Sequence, residues 1–455
     1  MKNTDQPSPL LTEPIPFMIR KIGIPVSVGA MFNTIYNVVD TIYGGLISDQ
    51  ALAALSLSFP IYFLIIAVGF GFGQGTTALI GNSLGRGDLE QAKQRSVQAL
   101  VFGVLVSIIL TIIVIMAAPT LVGWMGATDP EYQQMALDYI NPIFYGAICF
   151  IMLQMINAIL NAQGDTKPGR NVLIVGFFLN LLLDPWFIFG GFGLPAMGIT
   201  GIALATVLTQ GLGAIYLFVV LSRTELLTAD SVRRYWIPDP AVFRRILEQG
   251  FPSMLDTLSV SLGFFVLTVY VSQFGQKAVA AFGAGSRLEQ VALLPNLGLN
   301  IAVVSLVARN NGAKLYGRVQ ETYRTSIIYG SGVMFTTMIL VSVFARPLMR
   351  MFSNDPEIIQ IGAELVQIRN LGLIPNAIFF MSASAMRGIE RPLKPLILNM
   401  MRFVGLPWLF ILIFVKQLGY GLTSIWISST VAYFIAAIIL YIITSRELPQ
   451  PEADS

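Results

Sequence analysis

Long apolar stretches constrain the fold of this chain more than any other feature. The 455 residues contain twelve of them, at 22–44, 53–80, 97–122, 135–161, 170–190, 196–221, 251–273, 278–308, 325–348, 360–386, 395–415 and 420–444. Each has about 20 residues or more, enough for a helix to cross ~30 Å of hydrocarbon. Spanning strands need only ~10 alternating residues, whereas a helix satisfies its own backbone hydrogen bonds. We therefore predict an all-α membrane protein with 12 transmembrane helices.

The composition agrees with this prediction and narrows the chemistry. Charged residues make up 12% of the chain, against roughly 25% in soluble proteins. The chain has no His and one Cys, so it has no imidazole proton relay, no His-ligated metal and no internal disulfide. No nucleophile, base and metal constellation is visible, and we expect neither an enzyme nor a nucleic-acid-binding protein.

The distribution of Lys and Arg predicts the orientation. Most of them lie in the N-terminal segment and in the segments that follow the second, fourth, sixth, eighth and tenth stretches. Short cytoplasmic loops collect basic residues. We expect a multi-pass protein of the plasma membrane, the bacterial inner membrane, with both termini in the cytoplasm.

The chain contains an internal repeat. A shift of 227 residues aligns "GIP" at 23–25 with "GFP" at 250–252, and "ALAAL" at 51–55 with "AVAAF" at 278–282. An even number of helices in each copy makes the repeats parallel. We predict two six-helix bundles, an N-terminal lobe over 1–222 and a C-terminal lobe over 250–455, joined by a charged cytoplasmic linker at 223–249. Transporters of this kind bind substrate at or beside the repeat interface.

Polar side chains concentrate in the first half. In "NTIYNVVDTIYGG", the spacing i, i+3, i+4, i+7 places Asn33, Tyr36, Asn37 and Asp40 on one helix face. Asn180 and Asp184 on the fifth stretch, spaced i, i+4, also share a face. Further polar residues lie on the fourth and sixth stretches: Tyr139, Asn157, Thr206, Thr209 and Gln210.

The two acids demand a function more than the neutral groups do. Asn, Thr and Tyr on membrane helices are often only hydrogen-bonding contacts between helices. An ionised Asp at the helix centre costs ~2.5–3.5 kcal/mol, and the first half offers no Lys or Arg at that depth. Asp40 and Asp184 must therefore be neutralised by a proton or a small cation, and close together they would titrate as a coupled pair.

Other features allow a structural interpretation. Pro25, 15 residues before Asp40, either bends the first helix or marks its start. In "GSRLEQ", we expect Arg287 to neutralise Glu289. Asp256 and Glu364 lie nearer helix ends and are weaker candidates for a cation site.

Several ordered motifs resemble those of the MATE family of multidrug and toxin extrusion antiporters. They are "GIP" before Asp40, "GNSLGRGDLEQAK", "NAQGDTKP", "LNLLLDPWFIFG" and "GIALAT" in the first half, with "AAFGAGSRLEQVALLPNLGL" and "NNGAKLYGR" in the second. The resemblance covers nearly the whole chain. Acids in the N-terminal lobe make it similar to the DinF-like branch, whereas the NorM-like branch has an acid pair in the C-terminal lobe.

The resemblance implies a specific site and activity. The cation site of the DinF-like branch corresponds to Asp40, Asn180, Asp184 and Thr206, with Tyr139 beside it and Pro25 as the bending point. The implied activity is export of bulky, often cationic aromatic drugs or toxins in exchange for H⁺, or for Na⁺ held at the same four residues. We expect a monomer among membrane lipids, with no cofactor beyond the coupling ion. The substrate cavity is expected to include Asn33, Tyr36, Asn37, Asn157 and Gln210.

Two other kinds of protein share parts of this pattern. A lipid-precursor flippase or polysaccharide exporter of the same superfamily has the same helix count and repeat, but lines its cavity with several Arg or Lys. Here we expect almost none at mid-membrane depth. A channel would need a continuous polar path with repeated selectivity elements, which the sequence does not contain.

Overall fold

The computed structural model describes residues 8–125, 129–191 and 193–450. Nineteen α-helices form in these residues: α1 Pro9–Thr12, α2 Ile15–Ile47, α3 Asp49–Gly85, α4 Leu89–Trp124, α5 Pro130–Tyr145, α6 Ala147–Ala162, α7 Lys167–Phe189, α8 Ile199–Leu221, α9 Ala229–Tyr235, α10 Pro240–Val271, α11 Gln276–Ala292, α12 Leu294–Gly312, α13 Tyr316–Val343, α14 Ala345–Arg350, α15 Pro356–Asn370, α16 Leu373–Gly388, α17 Leu393–Met400, α18 Leu406–Ile411 and α19 Thr423–Glu447. A 3₁₀ turn at Ser272–Phe274 extends α10, and π-helical segments at Met401–Gly405 and Leu412–Gln417 flank α18.

The predicted all-α membrane fold is confirmed. Within the described residues, nine helices or helical runs are each long and apolar enough to cross a membrane, and two bent pairs raise the number to eleven. The bent pairs are α5 with α6, at 46°, and α11 with α12, at 42°. The remaining predicted stretch, 360–386, coincides with α15 and α16. All twelve predicted stretches are therefore helical.

Side-chain caps explain where several spans begin. The Ser48 hydroxyl accepts a hydrogen bond from the Ala51 backbone N–H at 3.0 Å, at the start of α3. Asp88 accepts from the Gln91 N–H at 2.9 Å before α4, and Asp129 accepts from the Tyr132 N–H at 3.0 Å before α5. Each cap satisfies an N–H that has no partner within its helix.

The bend between α5 and α6 requires a glycine. A Cβ atom at Gly146 would lie 2.4 Å from Cγ1 of Val207 on α8. Only a residue without a side chain allows α8 to approach this closely. The bend therefore helps to set the packing of α5 and α6 on α8, the helix that carries Thr206.

The chain divides into two compact units. The first unit is Val28–Met254, and the second joins the residues up to Ser27 to those from Leu255 onward. In the first unit, a large apolar core includes Ile65, Phe144 and Ile156, whereas the second contains several smaller clusters, one of them around Phe282 and Trp426. The predicted lobe boundaries at 222 and 250 stay a prediction.

Candidate functional site

A pair of carboxyl groups is buried inside the first unit. Asp40 on α2 retains 8% exposure and Asp184 on α7 retains none. Their carboxyl groups lie within hydrogen-bonding reach of each other. Two carboxylates this close repel strongly when both are ionised. The pair is therefore suited to hold one shared proton or one small cation.

Neutral side chains of three helices surround the pair. Asn180 lies one turn before Asp184, and its Nδ2 donates to Oδ1 of Asp184 at 2.9 Å and to the Tyr36 hydroxyl at 3.1 Å. The Thr206 hydroxyl also lies near the Tyr36 hydroxyl. Thr206 itself donates to its own helix, to the Ile202 carbonyl at 2.9 Å. The structure thus brings Asp40, Asn180, Asp184 and Thr206 to one place.

Several oxygens of this site are free to bind. Among the described side chains, Oδ1 of Asp40, Oδ2 of Asp184 and Oδ1 of Asn180 are buried and lack a hydrogen-bond partner. Buried polar atoms without partners are uncommon and need an explanation. All three are acceptors, so each can take a hydrogen-bond donor, including a proton shared by the pair, or a cation.

Two tyrosines enclose the acid pair. Tyr139 on α5 is 7% exposed and Tyr62 on α3 is 8% exposed. Both phenols lie close enough to Asp40 to interact electrostatically with its carboxyl group. Tyr62 was not among the predicted site residues. The sequence does place its phenol within the long apolar second stretch, and a buried phenol hydroxyl needs a hydrogen-bond partner.

A cleft opens beside the acid pair within the first unit. It is lined by residues of α2, α7 and α8: Asn33, Tyr36, Val172, Leu173, Gly176, Phe177, Thr209 and Gln210. Three of the five predicted cavity residues, Asn33, Tyr36 and Gln210, therefore meet. The Phe177 ring packs against Phe32, with centroids 5.6 Å apart, so aromatic and amide groups share this cleft.

The other two predicted cavity residues lie elsewhere. Asn37 donates to the Asn33 carbonyl of its own helix at 2.8 Å. Asn157 packs against Gly169, where a Cβ would lie 2.3 Å from its Oδ1. Asn157 thus forms a packing contact between α6 and α7, which is the structural role that Asn often has on membrane helices.

Pro25 lies in the interior of α2, which begins at Ile15. It is therefore not the start of the helix. Pro25 belongs to the second unit and Asp40 to the first. Its missing N–H removes one hydrogen bond within α2, which makes this position able to bend.

Comparison with known proteins identifies the family. The family model described as MatE matches the chain twice, over residues 25–186 and 252–413. The chain belongs to the MatE family. It is a membrane transporter and not an enzyme, as the sequence predicted. The second match begins and ends 227 residues after the first, which confirms the predicted repeat.

Curated MatE relatives match over most of their length. The chain is 28% identical to the probable multidrug resistance protein NorM of Thermotoga maritima, over 90% of this chain and 87% of the relative. It is also 28% identical to the FAD transporter of Shewanella oneidensis, over 87% of each. A solved MOP superfamily transporter from Pyrococcus furiosus superposes with a TM-score of 0.90 at 26% identity, covering 97% of this chain and 99% of that one.

The second unit of this MatE transporter corrects one prediction. Glu289 pairs with Arg369 at 2.8 Å, and Arg287 is exposed, so the predicted Arg287 to Glu289 pair is wrong. Arg369, Arg387 and Arg402 are 7%, 6% and 0% exposed, so this unit contains three buried guanidinium groups, and the expectation of almost no basic groups at mid-membrane depth stays a prediction. Arg387 lies beside the short loop after α16, and Arg402 lies within the helical run that follows it.

Asp256 in the second unit already has a partner. Its carboxylate forms an ion pair with Arg387, and the two side chains are 8% and 7% exposed. Asn399 donates to the Asp256 carbonyl at 2.9 Å. A carboxylate held by a permanently charged guanidinium is a poor site for exchanging a proton.

Proposed function

We propose that this transporter exports bulky, often cationic aromatic compounds in exchange for protons, and that Asp40 and Asp184 carry the exchanged charge. The name of the Thermotoga relative supports multidrug export. One observation carries the proton coupling: two buried carboxyl groups lie within hydrogen-bonding reach and no basic partner pairs with either among the described residues.

The acid pair provides a simple exchange. With a shared proton, the pair has one negative charge fewer and is stable in the buried site. When a cationic substrate enters the first unit, its charge favours the ionised pair and the proton leaves. When the substrate departs, the ionised pair takes a proton again. Each ligand disfavours the other, which is the requirement for antiport.

We favour H⁺ over Na⁺ as the coupling ion. Na⁺ would be held by Asp40, Asn180, Asp184 and Thr206, the residues that the DinF-like branch implies. These residues also offer oxygens to Na⁺, because Oδ1 of Asn180 accepts no hydrogen bond and a Thr206 hydroxyl that donates keeps its lone pairs. A proton is favoured because two neighbouring carboxyl groups can share it and lose their mutual repulsion without any further ligand.

The cleft beside the pair has side chains of the kind that bind an aromatic substrate, and it must widen to admit one, because in this structure it has room for little more than a water molecule. Phe177 provides a ring face, and Asn33 and Gln210 provide amide groups. Aromatic rings bind flat apolar compounds and attract cations through their faces. We further propose that the protein acts as a monomer in the bacterial inner membrane, with both termini in the cytoplasm.

A lipid-precursor flippase or polysaccharide exporter is the competing function. Such a protein must hold a pyrophosphate with several unpaired basic groups. In the second unit, Arg369 and Arg387 are paired with Glu289 and Asp256, so most of that positive charge is compensated. Drug export is therefore the better supported proposal.

Everted membrane vesicles test this proposal with a fluorescent cationic dye added outside, because their outer face is the cytoplasmic face from which the protein would export. An imposed pH gradient, with and without Na⁺, should drive dye transport by the wild-type protein in both cases. Transport that requires a Na⁺ gradient and ignores pH would refute proton coupling. Absence of dye transport under every gradient would refute multidrug export.

A further inference from the structure

Five charged side chains lie together inside the second unit, and their charges do not balance. Arg387 on α16 pairs with Asp256 on α10, and Arg369 on α15 pairs with Glu289 on α11. Arg402, on the π-helical segment Met401–Gly405, is the fifth. No carboxylate of the described residues forms an ion pair with Arg402, so the cluster has a surplus of one positive charge.

Arg402 is surrounded by neutral groups. Its side chain has no exposure. Nε donates to Oδ1 of Asn399 at 2.7 Å and Nη1 donates to Oδ1 of Asn376 at 3.0 Å. The guanidinium carbon lies 3.9 Å from the ring centroid of Phe379 and 4.5 Å from that of Phe403. Ring faces and amide oxygens stabilise a cation, but they bring no negative charge.

Arg402 and Arg369 share one neighbour. Their guanidinium carbons lie 5.4 and 5.9 Å from the ring centroid of Tyr433. The Tyr433 hydroxyl accepts a hydrogen bond from Nη2 of Arg369 at 3.0 Å. The two guanidinium groups therefore belong to one cluster and not to two separate sites.

Donors outnumber acceptors in this cluster. Of the described buried atoms, Nη2 of Arg402, Nη1 and Nε of Arg369 and Nε of Arg387 have no hydrogen-bond partner, against Oδ1 of Asp256 alone on the acceptor side. Buried donors in native proteins are almost always satisfied by protein, water or an ion. What this cluster lacks is an acceptor with one negative charge.

The backbone at Arg402 is itself unusual. Met401–Gly405 is π-helical, and a second π-helical segment follows at Leu412–Gln417. Single π turns are rare and occur mostly at functional sites. Glu289, with 12% of its side chain exposed, is the most exposed member of the cluster, and the Arg369 side chain retains 7%.

We propose that Arg402, with Arg369 and Arg387 beside it, binds one singly charged anionic group, a carboxylate. A surplus of one charge matches a carboxylate and not a pyrophosphate. This inference rests on the proposed export function where the carboxylate belongs to the transported compound. The site therefore distinguishes compounds that carry a carboxylate from those that do not.

The experiment uses the full-length protein in lipid nanodiscs and two forms of one rhodamine dye. The methyl ester is a cation, and the free acid adds a carboxylate. Dissociation constants are measured for the wild type, Arg402→Met, Arg402→Lys and the control Arg324→Met, at an exposed position of α13. Arg402→Met should weaken binding of the acid at least about tenfold, as expected when a charged hydrogen-bond partner is lost, and leave binding of the ester within about twofold.

A second arm distinguishes a carboxylate of the transported compound from a small free anion. The thermal unfolding midpoint is measured in sodium acetate and in a bulky sulfonate salt of equal ionic strength. Stabilisation of the wild type by acetate, lost in Arg402→Met, supports the site with a free anion as its ligand, even if both dyes bind equally well to the variant. The wild type alone shows whether acetate binds. If Arg402→Met does not fold, Arg402→Lys, which keeps the positive charge, serves as the variant.

Two results separate the possible failures. If acetate leaves the wild-type midpoint unchanged and the wild type binds acid and ester equally, Arg402 binds no anion and the inference is overturned. If the wild type binds neither dye but is stabilised by acetate, the proposed drug export fails while the anion site stands.

Discussion

Replacing Asp40 by Asn should uncouple transport from the proton gradient without unfolding the protein. Asp40 and Asp184 lie within hydrogen-bonding reach. Two charges ~4 Å apart repel by ~4 kcal/mol at an effective dielectric constant of ~20. At ~1.4 kcal/mol per tenfold, this repulsion favours the singly protonated pair over the doubly ionised one by about 10³-fold. The repulsion is what makes proton and substrate exclude each other.

The Asn side chain permanently resembles the protonated form of Asp40. It has the shape of the acid, and its amide can donate to Asp184 as the protonated carboxyl does. Removal of a buried ionisable group also favours insertion into the membrane. We therefore expect normal expression and folding, and a site that can no longer release a proton when substrate binds.

The assay combines dye transport with proton release. In everted vesicles, pH-driven uptake of a cationic dye should fall to the level of vesicles that lack the transporter, and dye addition to the purified variant should release no protons. Asp49→Asn is the matched control, because Asp49 is an exposed acid in the first turn of α3. Wild-type efflux by the Asp40→Asn protein would show that this carboxyl does not couple transport, and the exchange mechanism would have to be abandoned.

Three further outcomes follow from the contacts described above. Asn180→Ala should reduce proton-driven efflux more than Thr206→Ala, because Asn180 donates to both Asp184 and Tyr36; equal losses would contradict this order. Pro25→Ala should slow transport while dye binding persists, because a restored N–H stiffens α2; an unchanged rate would deny a bend. Arg387→Met should destabilise the protein by ~3–5 kcal/mol, because it leaves Asp256 unpaired. In thermal unfolding, the double variant with Asp256→Leu should recover most of that stability. No recovery would mean that loss of the ion pair is not the cause.

The helices could be predicted from the sequence because length and hydropathy alone decide them. A stretch such as 97–122 has no stable conformation in a membrane other than a helix, and it lies within α4. The bends were harder to see. The break at Gly146 depends on the approach of Val207 from α8, a contact between residues far apart in the chain that no local pattern reveals.

The sequence predicted the acid site but not the arginine cluster, and the difference is where the charged residues lie in the chain. Asp40 and Asp184 lie in the middle of apolar stretches, where a charge is conspicuous. Arg387 lies beside the short polar loop after α16, and Arg402 lies in the helical run that follows it. The sequence has several basic residues in this region, of the kind that interact with solvent or lipid headgroups. Only the folded chain shows that both point inward, to Asp256 and to the ring of Phe379.

The two repeats differ in how they neutralise a buried acid, and this difference assigns coupling to one of them. The shift of 227 residues aligns Asp40 with Leu267, which is buried, and Tyr62 with Glu289. In the first unit the acids have neutral neighbours, so a mobile proton or cation must balance them. In the second, Glu289 has the guanidinium of Arg369, whose charge cannot be removed in a protein. A buried carboxylate can take up and release a proton or cation only if the positive charge that balances it is itself mobile. We infer that coupling resides in the first unit, and that substitutions around Arg369 change which compounds bind without changing how transport is driven.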